Sequence, residues 1–153
     1  MTDSKKDAVG KLFDLTGKVA LITGGSGYLG SSFARILAEA GASVVIGSRS
    51  EETATRVAGE LPSPGGATHY GVSLDQLDEA SLNAGFDAAV EAAGQVDVLI
   101  NNGQQGHALD LTDVTGEAFS KDLQNATGYF LLARRLRDHV VTRETTASIV
   151  IIG

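Results

Sequence analysis

The chain has 153 residues, of which 42% are apolar and none is cysteine, and its formal net charge is −7 at pH 7. This length corresponds to one domain, and the absence of cysteine excludes disulfides, thiolate zinc sites and a cysteine nucleophile. The acidic charge argues against nucleic-acid binding. No apolar run is long enough to span a membrane, and the polar residues 1–11 contain no secretory signal. These two observations predict a cytoplasmic protein.

Strand and helix patterns alternate along residues 12–153, which we interpret as one domain preceded by a flexible arm over residues 1–11. Apolar runs predict five strands, at Val19–Thr23 and at residues 44–46, 68–72, 96–100 and 148–152. Apolar residues at helical spacing predict helices near residues 29–40, 54–61, 82–93 and 119–140. Because strands alternate with helices, we expect a doubly wound, Rossmann-type α/β fold with a parallel sheet in the order 3-2-1-4-5.

A glycine-rich turn connects the first predicted strand to the first predicted helix, since residues 19–30 read VALITGGSGYLG. Glycines allow the backbone to approach a phosphate closely, and the N-terminus of a helix contributes partial positive charge. The turn therefore predicts a dinucleotide-binding site. Its candidate residues are Gly24, Ser26, Gly27, Tyr28, Leu29 and Gly30.

With two further motifs, this turn resembles the short-chain dehydrogenases/reductases over nearly the whole chain. Thr23, Gly24, Gly27 and Gly30 fit TGxxGxxG, the spacing of the family's longer, epimerase-like branch, because Tyr28 replaces a glycine of the shorter branch. The segment DVLINNG at residues 97–103 is similar to the shorter branch's NNAG motif, with Gly103 in place of alanine.

The resemblance implies roles for residues in these motifs. It places Asn101 and Gly103 in a segment that stabilises the sheet and borders the adenosine ribose of the cofactor. The segment QNATGYF at residues 124–130 resembles the family's NxxGxF segment. This match implies that Asn125 is the catalytic asparagine whose place in the helix holds a proton-relay water.

The end of the second strand bears on the choice of cofactor. NAD sites commonly carry an acid there, whereas this chain has Ser48 followed by Arg49. A hydroxyl and a guanidinium suit a 2′-phosphate, so the sequence favours NADP over NAD. In the alternative interpretation, Ser48 and Glu51 form a capping box and Arg49 is solvated. The family's adenine-contacting aspartate after strand three is expected to be absent, because Gly71 stands at that place.

The resemblance implies hydride transfer between a nicotinamide cofactor and a small carbonyl or alcohol substrate. In the family, a serine after strand five and a Tyr-x-x-x-Lys pair transfer the proton. The three tyrosines of this chain are followed four residues later by Ser32, Leu74 and Ala133. We therefore expect the 153-residue chain alone not to be catalytically competent. A non-catalytic NAD(P)-binding sensor module and an epimerase-like member of the extended branch remain as alternatives.

Three further expectations concern the last strand, metals and assembly. Residues 148–152 are apolar on both faces, as in a covered sheet, so we expect five visible strands of a longer, truncated protein. The histidines at positions 69, 107 and 139 share no metal-ligand spacing, and His107 is interpreted as an exposed loop residue. The resemblance implies a homo-oligomer, a dimer or tetramer, formed through the long helix that carries Phe119 and Phe130.

Overall fold

The structure is a computed structural model that describes residues 10–106 and 110–153, so the predicted arm lies almost entirely outside it. The strands are β1 (Val19–Thr23), β2 (Ser43–Ser48), β3 (Tyr70–Ser73), β4 (Val98–Asn101) and β5 (Ser148–Ile151). The connecting helices are α1 (Tyr28–Glu39), α2 (Glu51–Gly59), α3 (Glu79–Ala93) and α4 (Gly116–Thr142). All strand pairs are parallel in the order β3-β2-β1-β4-β5, which confirms the predicted Rossmann-type sheet.

Two apolar clusters cover the central strands, one on each face of the sheet. Successive side chains of a strand point to opposite faces, and Leu21 of β1 accordingly packs with Phe86 and Leu132, from α3 and α4. Its neighbour Ile22 belongs to the opposite cluster, with Ala34 and other small residues of α1 and α2. Because both faces are covered, each central strand contains an apolar run of three or four residues instead of alternating apolar and polar residues.

Strand β5 pairs with β4 and forms one edge of the described sheet. Its apolar side chains are the least covered of any strand, since Ile149 and Val150 are each 43% exposed and Ile151 is 58% exposed. Within the described ranges, no helix has both the length and the apolar content to cross a membrane.

The functional consequence of this topology lies between β1 and β4. The chain runs from β1 outward to β3 and then crosses back to β4 on the other side of β1. The connections that follow β1 and β4 therefore start side by side and lead toward opposite edges of the sheet. In open parallel sheets, ligands bind at this reversal of strand order, outside the carboxyl ends of the strands. The glycine turn follows β1 and the NNG segment follows β4, and the fold therefore brings the two motifs together.

Candidate functional site

A cavity of about 280 Å³ opens at the carboxyl ends of the strands, where the order reverses. Its lining comes from the glycine turn, the ends of β2 and β3, and the loop after β4. The lining residues are Thr23, Gly24, Ser26, Gly27, Ser48, Arg49, Leu74, Asp75, Gln76, Asn102, Gly103, Gln104 and Gln105. Six residues named from the sequence therefore share one cavity wall: Gly24, Ser26, Gly27, Ser48, Arg49 and Gly103.

The other residues named from the sequence lie around the cavity rather than in its wall. Tyr28 and Leu29 open α1 and are 90% and 51% exposed. Gly30 is buried beneath the turn, and Asn101 is fully buried at the end of β4. Asn125 is buried on α4, behind the loop that follows β4. His107 lies outside the described residues.

The glycine turn requires glycine because two backbone segments meet there. Gly24 has a φ of +62°, and a Cβ on it would lie 2.7 Å from the Cα of Gly103. A Cβ on Gly30 would overlap the carbonyl oxygen of Gly24. The turn therefore lies directly against the loop after β4, with bare backbone facing the cavity.

The N-terminus of α1 differs from those of the three following helices. Ser50, Asp78 and Thr115 cap α2, α3 and α4 by accepting hydrogen bonds from backbone N–H groups, whereas Gly27 offers α1 no side-chain cap. The first turn of α1 contains no acidic residue, unlike the first turns of the other three. An uncapped helix end leaves N–H donors and partial positive charge available to an anion.

Thr23 and Asn102 hold the two loops together, and sequence analysis did not assign a site role to either. The hydroxyl of Thr23 accepts hydrogen bonds from the backbone N–H groups of Asn102 and Gly103, at 3.0 and 2.8 Å. The side-chain amide of Asn102 donates to the carbonyl oxygens of Thr23 and Gly24, both at 3.2 Å. These bonds explain why Thr23 ends β1 and why Asn102 follows β4, because the side chain of each residue forms hydrogen bonds with backbone groups of the other loop.

Ser48 and Arg49 lie beside the glycine turn, but not in the capping arrangement considered above. The N-cap of α2 is Ser50, whose hydroxyl accepts from the N–H of Thr53 at 3.2 Å, so Arg49 precedes the helix and does not open it. The hydroxyl of Ser48 instead accepts from that of Ser26 at 3.2 Å. Arg49 is exposed and pairs with no carboxylate in the described part of the chain.

The expectation that no aspartate follows strand three at the site is wrong. Gly71 lies within β3 and faces α2, where a Cβ would overlap the backbone of Ala54 and Thr55. Beyond the end of β3, residues 74–76 line the cavity, and Asp75 is the aspartate among them. One oxygen of its carboxylate accepts from the N–H of Leu77 at 3.0 Å, which fixes the side chain at the start of the loop.

Asn125 uses its whole side-chain amide within the protein. Its Oδ1 accepts from the N–H of Gln105 at 3.0 Å and from Nε2 of Gln76 at 2.6 Å. Its Nδ2 donates to the carbonyl oxygens of Gln105 at 2.6 Å and Asp122 at 2.8 Å. Two acceptor positions and two N–H donors are the full capacity of an amide. The side chain thus anchors the loop after β4 to α4.

Tyr129 provides a second anchor one helical turn further along α4. Its hydroxyl donates to the carbonyl oxygen of Gly103 at 2.9 Å, and burial raises the pKa of the phenol. Asn101 lies beneath this anchor and donates from Nδ2 to the carbonyl oxygen of Tyr129 at 3.3 Å. Asn101 therefore links the end of β4 to helix α4.

The groups that line the cavity are suited to an anionic ligand. Side chains on Gly24 and Gly30 would overlap atoms of the turn and of the loop after β4, so the exposed backbone there depends on glycine at these positions. Hydroxyl and guanidinium groups of Ser26, Ser48 and Arg49 are among the lining residues, together with Gln104 from the loop after β4. This donor set, with the uncapped helix, is suited to a pyrophosphate with polar groups on either side.

Comparisons with known proteins agree with this geometry. A family model described as short chain dehydrogenase matches residues 18–153. A 2,5-dichloro-2,5-cyclohexadiene-1,4-diol dehydrogenase of Sphingobium indicum is 42% identical over 118 residues, which are 76% of this chain and 47% of that protein.

Solved structures with the same fold are also similar in sequence. A short-chain type dehydrogenase/reductase from Mycobacterium marinum has a TM-score of 0.82 and 29% identity, and the match covers 92% of this chain and 57% of that one. A 3-ketoacyl-(acyl-carrier-protein) reductase from Brucella melitensis complexed with NADH has a TM-score of 0.78 and 35% identity, covering 90% and 57% of the two chains. The chain thus spans 47% to 57% of the length of these relatives.

Proposed function

The chain belongs to the short chain dehydrogenase family, and we propose that its cavity is the nicotinamide-dinucleotide site of an oxidoreductase acting on a small carbonyl or alcohol. The observation that carries the proposal is the uncapped N-terminus of α1, which meets the loop after β4 at the reversal of strand order. The relatives compared above are dehydrogenases and reductases, and none of them favours the sensor or the epimerase alternative.

Each part of the cavity has a proposed task. The backbone of the turn from Gly24 to Gly27, with the first N–H groups of α1, binds the pyrophosphate, and Asp75 and the loop after β4 flank the adenosine end. A bound nicotinamide dinucleotide supplies or accepts the hydride. Asn125 and Tyr129 hold the loop after β4 in position, so that the cofactor lies against a wall fixed on α4.

We propose that the site prefers NADP, because the donors at the end of β2 suit a 2′-phosphate. Ser26 and Ser48 place two hydroxyls beside the exposed Arg49, which has no carboxylate partner in the described ranges. An unpaired guanidinium can bind a phosphate through two parallel hydrogen bonds without first breaking an ion pair. Asp75 is the only carboxylate among the lining residues, so the 2′-phosphate should lie on the side of Arg49, away from this charge.

The test is a titration of the purified chain with NADPH and NADH, followed by fluorescence of the reduced nicotinamide. Arg49→Gln should weaken NADPH binding by about tenfold, the effect of losing a charge-assisted contact, and change NADH binding by less than about twofold. Arg56→Gln is the matched control, since this exposed arginine pairs with Glu60 on α2 and lies outside the cavity lining. Equal losses for both dinucleotides would refute the NADP preference, and no binding of either would refute the proposed site.

We further propose that the protein is a homo-oligomer assembled through α4. Phe119, Leu123 and Phe130 recur along one face of this helix at 54–62% exposure, an arrangement that burial against a second copy would stabilise. Light scattering of the wild-type chain and of Leu123→Glu measures the assembly directly. A monomeric mass for the wild type at high concentration would refute the proposal.

A further inference from the structure

Gln76 is the residue at which three parts of the site meet. It follows the cavity residue Asp75 and is only 8% exposed. Its Nε2 donates to Oδ1 of Asn125 at 2.6 Å. A Cβ on Gly103 would overlap its Oε1, and a Cβ on Gly128 of α4 would overlap its carbonyl oxygen. The end of β3, the loop after β4 and helix α4 therefore all contact this residue.

The orientation of the Gln76 amide follows from the backbone around its partner. Asn125 must direct its oxygen to the N–H of Gln105 and its nitrogen to the carbonyl oxygens of Gln105 and Asp122. Because that oxygen also faces Gln76, the group of Gln76 that points to it must be the NH₂ donor. The remaining atom, Oε1, is buried and has no hydrogen-bond partner among the described residues.

A buried amide with an unsatisfied oxygen is unfavourable compared with an apolar side chain of the same size. Packing alone therefore does not account for glutamine at this position, and its donor group must provide the advantage. That donor completes the second acceptor position of Asn125, which would otherwise be left buried and unpaired. Through Asn125 it also fixes the backbone of Gln105 in the cavity wall.

We propose that Gln76 is a positioning residue for the dinucleotide site: its NH₂ group satisfies the second acceptor position of the Asn125 carboxamide, and it thereby holds that carboxamide and the loop after β4 in place before the cofactor binds. The proposal deepens the proposed function and rests on it for the identity of the ligand. It also explains the glycine at position 103, because the carboxamide oxygen of Gln76 occupies the space that an alanine side chain would require.

The main test replaces the amide and retains the volume. Gln76→Met has a side chain of similar length that cannot donate a hydrogen bond, whereas Gln124→Met makes the same exchange at an exposed position next to Asn125. In ¹⁵N-edited spectra of the ligand-free chain, the Asn125 side-chain amide should shift and exchange with water faster in Gln76→Met only. NADPH affinity should fall by about tenfold in Gln76→Met, the typical effect of leaving a buried acceptor unpaired.

A double-mutant cycle tests the spatial part independently of any ligand. Gly103→Ala alone should unfold at a lower denaturant concentration, because the new Cβ overlaps Gln76. Gln76→Ala removes the two Gln76 atoms nearest to the new Cβ and leaves the backbone nitrogen of Gly24 at 3.2 Å, so adding Gly103→Ala should cost much less stability in the Gln76→Ala background than in wild type. Additive losses in the cycle would refute the fit between the two residues.

The outcomes separate the positioning role from the proposed function. If Gln76→Met leaves the chemical shifts and exchange rates of the Asn125 side-chain amide as in wild type, and the NADPH affinity within about twofold of wild type, Gln76 only fills space and the proposal is overturned. If the wild-type chain binds neither NADPH nor NADH, the proposed function fails. The Asn125 resonances of the ligand-free chain then still decide whether Gln76 holds Asn125 in place.

Discussion

Replacing Gly30 with alanine tests whether the close contact beneath the glycine turn is required. A Cβ at this position would overlap the carbonyl oxygen of Gly24 and lie 2.9 Å from its carbonyl carbon and 2.8 Å from Nδ2 of Asn102. Two of these three atoms belong to the backbone, which cannot rotate away as a flexible side chain could. The turn, or the first turn of α1, must therefore shift.

The expected magnitude follows from two opposing effects. Overpacking against fixed atoms costs about 1–3 kcal/mol, whereas alanine in place of glycine within a helix contributes up to about 1 kcal/mol of stability. A net loss of about 1–2 kcal/mol in the free energy of unfolding should result. Because the shift moves the N–H groups that face the cavity, NADPH affinity should fall by about tenfold, equivalent to about 1.4 kcal/mol.

Urea unfolding and NADPH titration of two variants provide the measurement. Gly59→Ala is the matched control, because Gly59 ends α2 at an exposed position and an added Cβ there meets no atom within 4 Å. We expect the control to be as stable as wild type or slightly more stable, with unchanged affinity. If Gly30→Ala matches the control in both measurements, the turn tolerates a side chain and the argument from close contact is refuted.

Three further substitutions probe titration and burial in the urea unfolding assay. Burial raises the pKa of the Tyr129 phenol above 10, so the stability that this group contributes is complete below pH 10 and is lost as the pH rises through the folded-state pKa. Tyr129→Phe should make this alkaline loss of stability smaller. It should also cost about 1 kcal/mol at neutral pH, because its hydrogen bond to the loop after β4 is lost. Burial, reinforced by a nearby arginine, lowers the pKa of His139 below 6.5. The stability that neutral His139 contributes is therefore complete above pH 6.5 and is lost as the pH decreases toward the folded-state pKa. In His139→Gln, the free energy of unfolding should decrease less on acidification. Asp97→Asn should cost about 2 kcal/mol at neutral pH, since this buried carboxylate accepts from the N–H of Val19 and pairs with an arginine.

The sheet could be predicted from the sequence because its central strands are covered on both faces. Residues 19–22 of β1 and 44–46 of β2 are apolar without interruption, and the glycine turn marks where β1 ends. The positive φ of Gly24 is a condition that only glycine meets without strain, which is why the position of the glycines after an apolar run was enough to recognise the turn. Strand order then followed from right-handed crossovers between parallel strands.

The errors at the site arose where this signal was weak. Strand β3 runs over Tyr70–Ser73, two residues later than its predicted start, and only Val72 in it is buried. Its predicted end, residue 72, lies one residue before the observed end, and Gly71 lies inside both strands, so assigning the position after the strand to Gly71 instead of Asp75 was a misalignment of the motif. Similarly, Ser48 and Ser50 are both N-cap residue types, and only the exit of the chain from β2 determines that Ser50 caps α2.

Gln76 shows why departures from a motif must be interpreted in three dimensions. In sequence, Gly103 is a change within the segment after β4, and Gln76 is an unremarked polar residue in a loop. In the structure, the two residues are in contact, and the absence of a side chain on Gly103 leaves room for the carboxamide of Gln76. A missing side chain leaves no sign in the sequence of what fills its space, because the complementary residue lies on a different strand connection. A variant family motif therefore predicts a compensating residue opposite it, but the identity of that residue depends on the packing of the sheet, the loop and α4 together.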